Sequence, residues 1–231
     1  MSKVFNFEGP LFTSLSRLAD LFWLNLLFIL CCIPIVTAGA AATALYYVTL
    51  KMAKDEEGYI TKSYFKSFKE NFVQATIIWI LIVAVMAIMY VDIVVAGGGS
   101  FTEAINSAAI SNVVMVAAGV MTIVLFMTGT YVFPLLAQFD NTVVNTIKNA
   151  FLISIRHLPY TILMIAITVT PFVLVWYFPP LLILVVIMFA AVAYINSKFF
   201  NRIFILYMPK EAADEGSGAL SEGIDGENGE E

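Results

Sequence analysis

The chain has 231 residues, 61% of them hydrophobic and 13% charged, with a mean hydropathy of +0.90. Soluble domains carry about 25% charged residues, so this composition excludes a soluble fold and indicates a polytopic membrane protein. The formal charge of −5 comes from residues 211–231, which hold eight acids and no base; the first 210 residues carry twelve Lys or Arg against nine acids.

The opening stretch "MSKVFNFEGPLFTSLSR" is expected to be retained, because the apolar run behind it is too long for a signal peptide and no small-residue cleavage site precedes the next helix. Apolar runs then fall at 18–33, 35–50, 72–96, 109–136, 160–178 and 180–197. Between Leu18 and Leu50 the only ionisable carboxylate is Asp20, and the run is interrupted only at "CCIPIVTAG". One continuous helix over that distance would be roughly 50 Å long, against a hydrocarbon core of about 30 Å. Pro34 lacks a backbone donor and stops a helix. Thr37 suits an N-cap for a second helix, and Gly39 with the following small residues lets the second arm pack closely against the first. The expected solution is a helical hairpin, the alternative a single kinked span and five spans in all.

The intervening regions differ in charge. Residues 51–71 carry Lys51, Lys54, Lys62, Lys66 and Lys69, residues 137–159 carry Lys148 and Arg156, and Lys198, Arg202 and Lys210 follow the last run. Residues 97–108 and the "YFPP" at 177–180 carry no base. Cytoplasmic loops are enriched in Lys and Arg, so the hairpin reading places every base inside. It gives an all-α bundle of six transmembrane helices with both termini cytoplasmic, in a bacterial plasma membrane. Residues 1–208 form the transmembrane domain and 209–231 a disordered acidic tail, too poor in apolar residues to offset its ordering entropy.

Two cytoplasmic segments read as amphipathic helices. In "ITKSYFKSFKENF", Tyr64, Phe65, Phe68 and Phe72 share a face at helical spacing, with Lys62, Lys66 and Lys69 on another. That pattern suits an interfacial helix, with rings in the acyl boundary and lysines towards anionic lipid. In "DNTVVNTIKNAFLISIRHLP", Val144, Ile147, Phe151 and Ile155 form an apolar stripe opposite Asn145, Asn149 and Arg156. Asp140 or Asn141 can cap its start, and Pro159 marks its end. Each unit is expected to run amphipathic helix, short break, transmembrane helix, which suggests a degenerate internal duplication.

Catalytic motifs are absent from the sequence: it has no phosphate-binding GxxxxGK[ST], no HExxH and no GxSxG. The single His157 and the adjacent Cys31 and Cys32 are expected to serve packing, with no disulfide, metal site or cofactor. Asp20 is expected to pair with Arg17 at i,i+3 spacing, Asp92 to reach the outer headgroups, and Asn25 to make an interhelical hydrogen bond. No helix carries the repeated Asp, Glu or His of a proton relay. The expected class is non-enzymatic, with no nucleic-acid partner.

Residues 18–75, "LADLFWLNLLFILCCIPIVTAGAAATALYYVTLKMAKDEEGYITKSYFKSFKENFVQA", resemble the signature half of the YesL-like family of small Firmicute membrane proteins of undefined function. Residues 131–161, "YVFPLLAQFDNTVVNTIKNAFLISIRHLPYT", resemble its second block. The resemblance implies a cell-membrane protein often encoded beside carbohydrate ABC permeases, sugar-binding lipoproteins and glycan hydrolases, and implies no catalytic residue. The expected partners are therefore the lipid bilayer and a sugar ABC permease or its ATPase. The candidate contact residues are Lys62, Tyr64, Phe65, Lys66, Phe68, Lys69, Lys148 and Arg156. A permease or pore in its own right, and a lipid-binding membrane organiser, are the rivals.

Overall fold

The structure, a computed structural model, describes residues 10–56, 58–97 and 108–207; the expected acidic tail lies outside them. Its elements are α1 (Pro10–Cys32), a 3-10 turn at Ile35–Thr37, α2 (Ala38–Met52), α3 (Ile60–Gly97), α4 (Ala108–Gln138), α5 (Val143–Arg156), α6 (Leu158–Tyr177), a 3-10 segment at Pro179–Leu184, α7 (Val185–Phe204) and a last 3-10 turn at Ile205–Tyr207. Among the described residues there is no β-strand. Six helical segments are long and apolar enough to cross a membrane: Ser14–Cys32, Ile35–Met52, Ile60–Asp92, Val113–Gln138, Leu158–Tyr177 and Pro179–Tyr207.

The break at "CCIPIVTAG" produces two separate helices. α1 stops at Cys32, and Pro34 is extended, with φ −76° and ψ 109°. Arg17, early in α1, forms an ion pair with Asp55, just past the end of α2, and donates to the Tyr194 hydroxyl at 3.2 Å. Trp23 Nε1 donates to Thr61 Oγ1 at 2.9 Å, at the start of α3. Both arms therefore return to one end of the bundle, which excludes the single kinked span. Arg17 thus pairs across the fold with Asp55, where local spacing suggested Asp20.

Two details of the turn differ from expectation. Thr37 makes no side-chain cap for α2; its hydroxyl donates back to Cys31 O at 2.6 Å and Pro34 O at 2.7 Å. It thereby satisfies carbonyls left open where α1 ends, a need that every helix C-terminus has. Gly39 accommodates α3 and not α1: a Cβ there would lie 2.6 Å from Ala75 O and 2.6 Å from Trp79 Cβ. Trp79 Nε1 then donates to Ile35 O at 2.9 Å, holding the turn onto α3.

α2 is the centre of the bundle. Gly39, Ala40, Ala41, Thr43, Ala44, Leu45, Val48, Thr49, Leu50 and Met52 are all buried. Small residues let backbones approach where no hydrophobic drive separates helix from lipid, and "AGAAATA" is enclosed by α1, α3, α4 and α7 accordingly. One core cluster joins α1, α2, α3 and α7 through Leu21, Leu24, Leu45, Val48, Tyr64 and Ala193. The other joins α2, α3, α4, α5, α6 and α7 through Leu50, Ile78, Tyr131, Ile153, Met164, Phe200 and Phe204.

Several polar side chains inside the bundle are engaged between helices, while Thr76 Oγ1, Asn196 Oδ1 and Asn201 Oδ1 are buried without a partner. Asn25, fully buried in α1, donates to Val185 O at 3.0 Å and Val186 O at 2.8 Å, and accepts from Ala190 N at 3.1 Å. The interhelical role expected for it is thus met at the start of α7. Thr49 and Ser197 hydroxyls lie 2.8 Å apart, and Asn201 donates to Leu50 O at 3.1 Å. Tyr131 and Thr161 hydroxyls lie 2.9 Å apart, tying α4 to α6. Hydrogen bonds of this kind glue helices where hydrocarbon offers no competing partner.

The two amphipathic units prove unlike. α5 is a separate 14-residue helix that ends at Arg156, turns at His157 and resumes with Pro159 in the first turn of α6, as expected. α3 has no such break. It runs for 38 residues, about 57 Å at 1.5 Å per residue, with no Pro or Gly between Ile60 and Ala96. Residues 60–72 are its first turns, continuous with the apolar span and packed on α2, where a separate interfacial helix was expected.

Candidate functional site

The bases gather at one end, where α1 begins, α2 ends, α3 begins, α4 meets α5, and the chain leaves α7. Three adjoining hollows open there. The first, of about 300 Å³, is lined by Asp20, Trp23, Val48, Lys51, Met52, Glu56, Gly58, Tyr59, Ile60 and Ser63. The turn that shapes it holds Asp55 at φ 57°, in the left-handed region; Asp tolerates that region better than most residues, and its carboxylate is fixed there by Arg17.

The second hollow, about 630 Å³ and open, lies between Tyr59, Ile60, Thr61, Lys62, Phe65, Lys66 and Lys69. The candidate lysines Lys62, Lys66 and Lys69 are therefore brought together and exposed. The aromatic residues expected to accompany them split into two sets. Phe65 and Phe72 are on the outside, but Tyr64 is 0% exposed, with its hydroxyl donating to Ala41 O at 3.4 Å, and Phe68 packs against both core clusters. Tyr64, Ser67, Phe68 and Ala75 form the stripe that meets α2, so Tyr64 is removed as a lipid or partner contact and Phe68 is half-buried against the core.

The third hollow, about 710 Å³, is the most polar. It lies between Tyr47 of α2, Glu70, Asn71 and Gln74 of α3, and Gln138, Asp140, Asn141 and Thr142 where α4 turns into α5. Sequence reasoning passed over this cleft, because its walls come from three segments far apart in the chain. The one local signal was the run of amides in "KENFVQ" and "AQFDN".

α5 buries a face that the sequence reading did not single out. Thr146, Ala150, Ile153 and Ser154 are buried, while Val144, Phe151, Leu152 and Ile155 are exposed. The expected apolar stripe faces outward at Val144, Phe151 and Ile155, while its fourth member, Ile147, is partly buried beside the core. Thr142, not Asp140 or Asn141, occupies the N-cap position, without a side-chain cap bond. Lys148 and Arg156 are exposed on α5, away from the Lys62 groove. Arg156 Cζ stands 5.9 Å from the Tyr207 ring centroid, and His157 Nε2 lies 3.2 Å from the Tyr207 hydroxyl.

Cys31 and Cys32 are free thiols, half-buried. Asp92 is exposed near the far end of α3. Among the described residues no three His, Cys, Asp or Glu side chains come together as a metal-binding group.

Fold and surface together define an all-helical, multi-span membrane bundle, packed around a small-residue helix and grooved at its basic end. Residues 21–93 match the family described as "Protein of unknown function, DUF624". Over 140 residues the chain is 29% identical to the uncharacterized protein YteU of Bacillus subtilis (strain 168), a match covering 60% of each chain. It therefore spans less than two thirds of that relative's length. No solved structure matches. The family match and the relative bear out the resemblance to the YesL-like family, and the match from residue 21 falls on its first block.

Proposed function

We propose that this protein is a non-enzymatic accessory component of a carbohydrate ABC importer in the plasma membrane, with both termini cytoplasmic. It acts by helix contacts between its basic end and the permease or its ATPase. The observation that carries this reading is the contrast between interior and basic end. Inside, Asn25, Thr49, Ser197 and the Asn201 amide N–H are engaged in helix-to-helix hydrogen bonds, and the unpartnered buried oxygens of Thr76, Asn196 and Asn201 are scattered over α3 and α7. Polar surface that faces outward is concentrated in the lysine groove and the amide cleft. That distribution suits a protein that touches a partner better than one that conducts a solute, since a transport path needs polar groups directed into a route. The carbohydrate context rests on the resemblance of residues 18–75.

The test is to purify the tagged full chain in mild detergent from its host grown on glycans and to quantify co-purifying proteins by mass spectrometry. Enrichment of a sugar permease or its ATPase, reduced by charge reversal at Lys62, Lys66 and Lys69, is the expected result. Lack of enrichment, or solute uptake by the purified protein alone in liposomes, overturns the reading.

A further inference from the structure

A fourth hollow at the basic end, about 320 Å³, is lined by Leu135, Phe139, Asn141, Asn149, Leu152, Ile153, Arg156 and Tyr207. Its level in the fold is well defined. Three of the six membrane-compatible segments stop beside it: Val113–Gln138 ends there, Leu158–Tyr177 begins there, and Pro179–Tyr207 ends there. A boundary between apolar spans and polar connections is where acyl chains give way to headgroups.

The walls have two chemistries. Leu135, Phe139, Leu152 and Ile153 supply an apolar slot; Asn141, Asn149, Arg156 and the Tyr207 hydroxyl supply a polar rim. Arg156 is the only charged member, and among the described residues no carboxylate lies within 4.0 Å of its guanidinium. It is held beside the Tyr207 ring, whose hydroxyl is in turn beside His157. Leu152, on the wall of the slot, is itself apolar and exposed, so hydrocarbon must cover it in a membrane.

We propose that this hollow is a binding site for one anionic phospholipid: an acyl chain enters between Leu135, Phe139, Leu152 and Ile153, and the phosphate is held by Arg156, Asn141, Asn149 and Tyr207. A free phosphate would leave the apolar walls uncovered, and a zwitterionic lipid would bring its own cation to Arg156. The site stands apart from the lysine groove on α3 and does not depend on the importer assignment.

The experiment uses the full chain, purified in mild detergent and loaded with equal amounts of phosphatidylglycerol and phosphatidylcholine of identical acyl composition. Native mass spectrometry counts the lipids retained. The expected result is one phosphatidylglycerol held in preference to phosphatidylcholine. R156Q should reduce that preference about five-fold, the factor equivalent to about 1 kcal/mol for one base at an anionic surface, and R156K should restore most of it. The triple change K62Q/K66Q/K69Q should leave this lipid in place. Equal retention of the two lipids, an unaltered preference in R156Q with an unchanged thermal midpoint, or displacement of the lipid by inorganic phosphate would each overturn the assignment.

Discussion

Gly39 lies so close to the main chain of Ala75 that α2 and α3 touch there backbone to backbone: a Cβ on Gly39 would be 2.6 Å from the Ala75 carbonyl oxygen. The obstruction is a carbonyl and the Cβ of Trp79, neither of which can swing away. Gly39→Ala should therefore push α2 off α3 and cost about 1–3 kcal/mol, the usual range for overpacking. Gly119 in α4 is the internal control, since a Cβ there meets nothing within 4 Å. Gly119→Ala should be neutral or raise stability by up to about 1 kcal/mol through helix propensity. Thermal midpoints in detergent compare the two. Equal effects would mean that the close approach is not energetically important.

Tyr64 and Phe65 are neighbours in sequence with opposite surroundings. Tyr64 is enclosed by α1, α2 and α7 residues, whereas Phe65 borders the lysine groove. Truncating a large buried aromatic ring costs about 3–5 kcal/mol. Tyr64→Ala should accordingly lose most of the folded protein during extraction, while Phe65→Ala should keep yield and thermal midpoint near wild type. If Phe65→Ala is the more damaging change, residues 60–72 pack the other way round.

That pair also marks where the sequence stopped being readable. The six spans were visible because each is an apolar run of sufficient length, and Pro34 located the hairpin turn. Which ring enters the protein was not visible, because lipid and a helix–helix interface are equally apolar and a run of aromatics satisfies both. The continuity of α3 was in principle legible: residues 60–96 hold neither Pro nor Gly, in contrast to Pro159 at the start of α6. The change from charged to apolar residues suggested a break that the backbone chemistry did not require. The amide cleft left only the local amide runs as a trace, since Tyr47, Glu70 and Asp140 meet only after α2, α3 and α4 have packed.

Asn25 binds α1 to α7 through three hydrogen bonds, two donated and one accepted. Asn25→Leu keeps the branched outline of the side chain but none of this bonding. Interhelical hydrogen bonds in membranes are worth about 0.6–2 kcal/mol, so the substitution should lower the thermal midpoint measurably while leaving insertion intact. Thr49→Val, which deletes the contact to Ser197, should act independently, and the double variant should show the sum of both losses. A loss well below that sum would reveal that α1 and α2 move onto α7 as one unit.

Topology is the most direct check on the hairpin. The ion pair between Arg17 and Asp55 places the start of α1 and the end of α2 at the same end of the bundle. The contact between Trp23 and Thr61 places the start of α3 there as well. Tyr177 and the 3-10 segment from Pro179 lie at the opposite end: α6 and α7 run side by side from the His157–Tyr207 contact through Tyr160–Phe199, Thr168–Asn196 and Phe172–Phe189 to the turn that joins them there. On the orientation proposed above, with the bases cytoplasmic, single cysteines at Ser2 and Thr61, in a background where Cys31 and Cys32 are replaced by Ser, should resist an impermeant maleimide in intact cells and react after lysis. A cysteine at Tyr177 should react before lysis. Converting Pro34 to Ala and Gly39 to Leu removes the helix stop and the site that seats α2 on α3. The expected result is Ser2 labelling from outside, or degradation of the protein. If that double variant stays abundant with Ser2 protected, the turn is held by Thr37 and the Trp79–Ile35 bond alone, and Pro34 and Gly39 are dispensable to the hairpin.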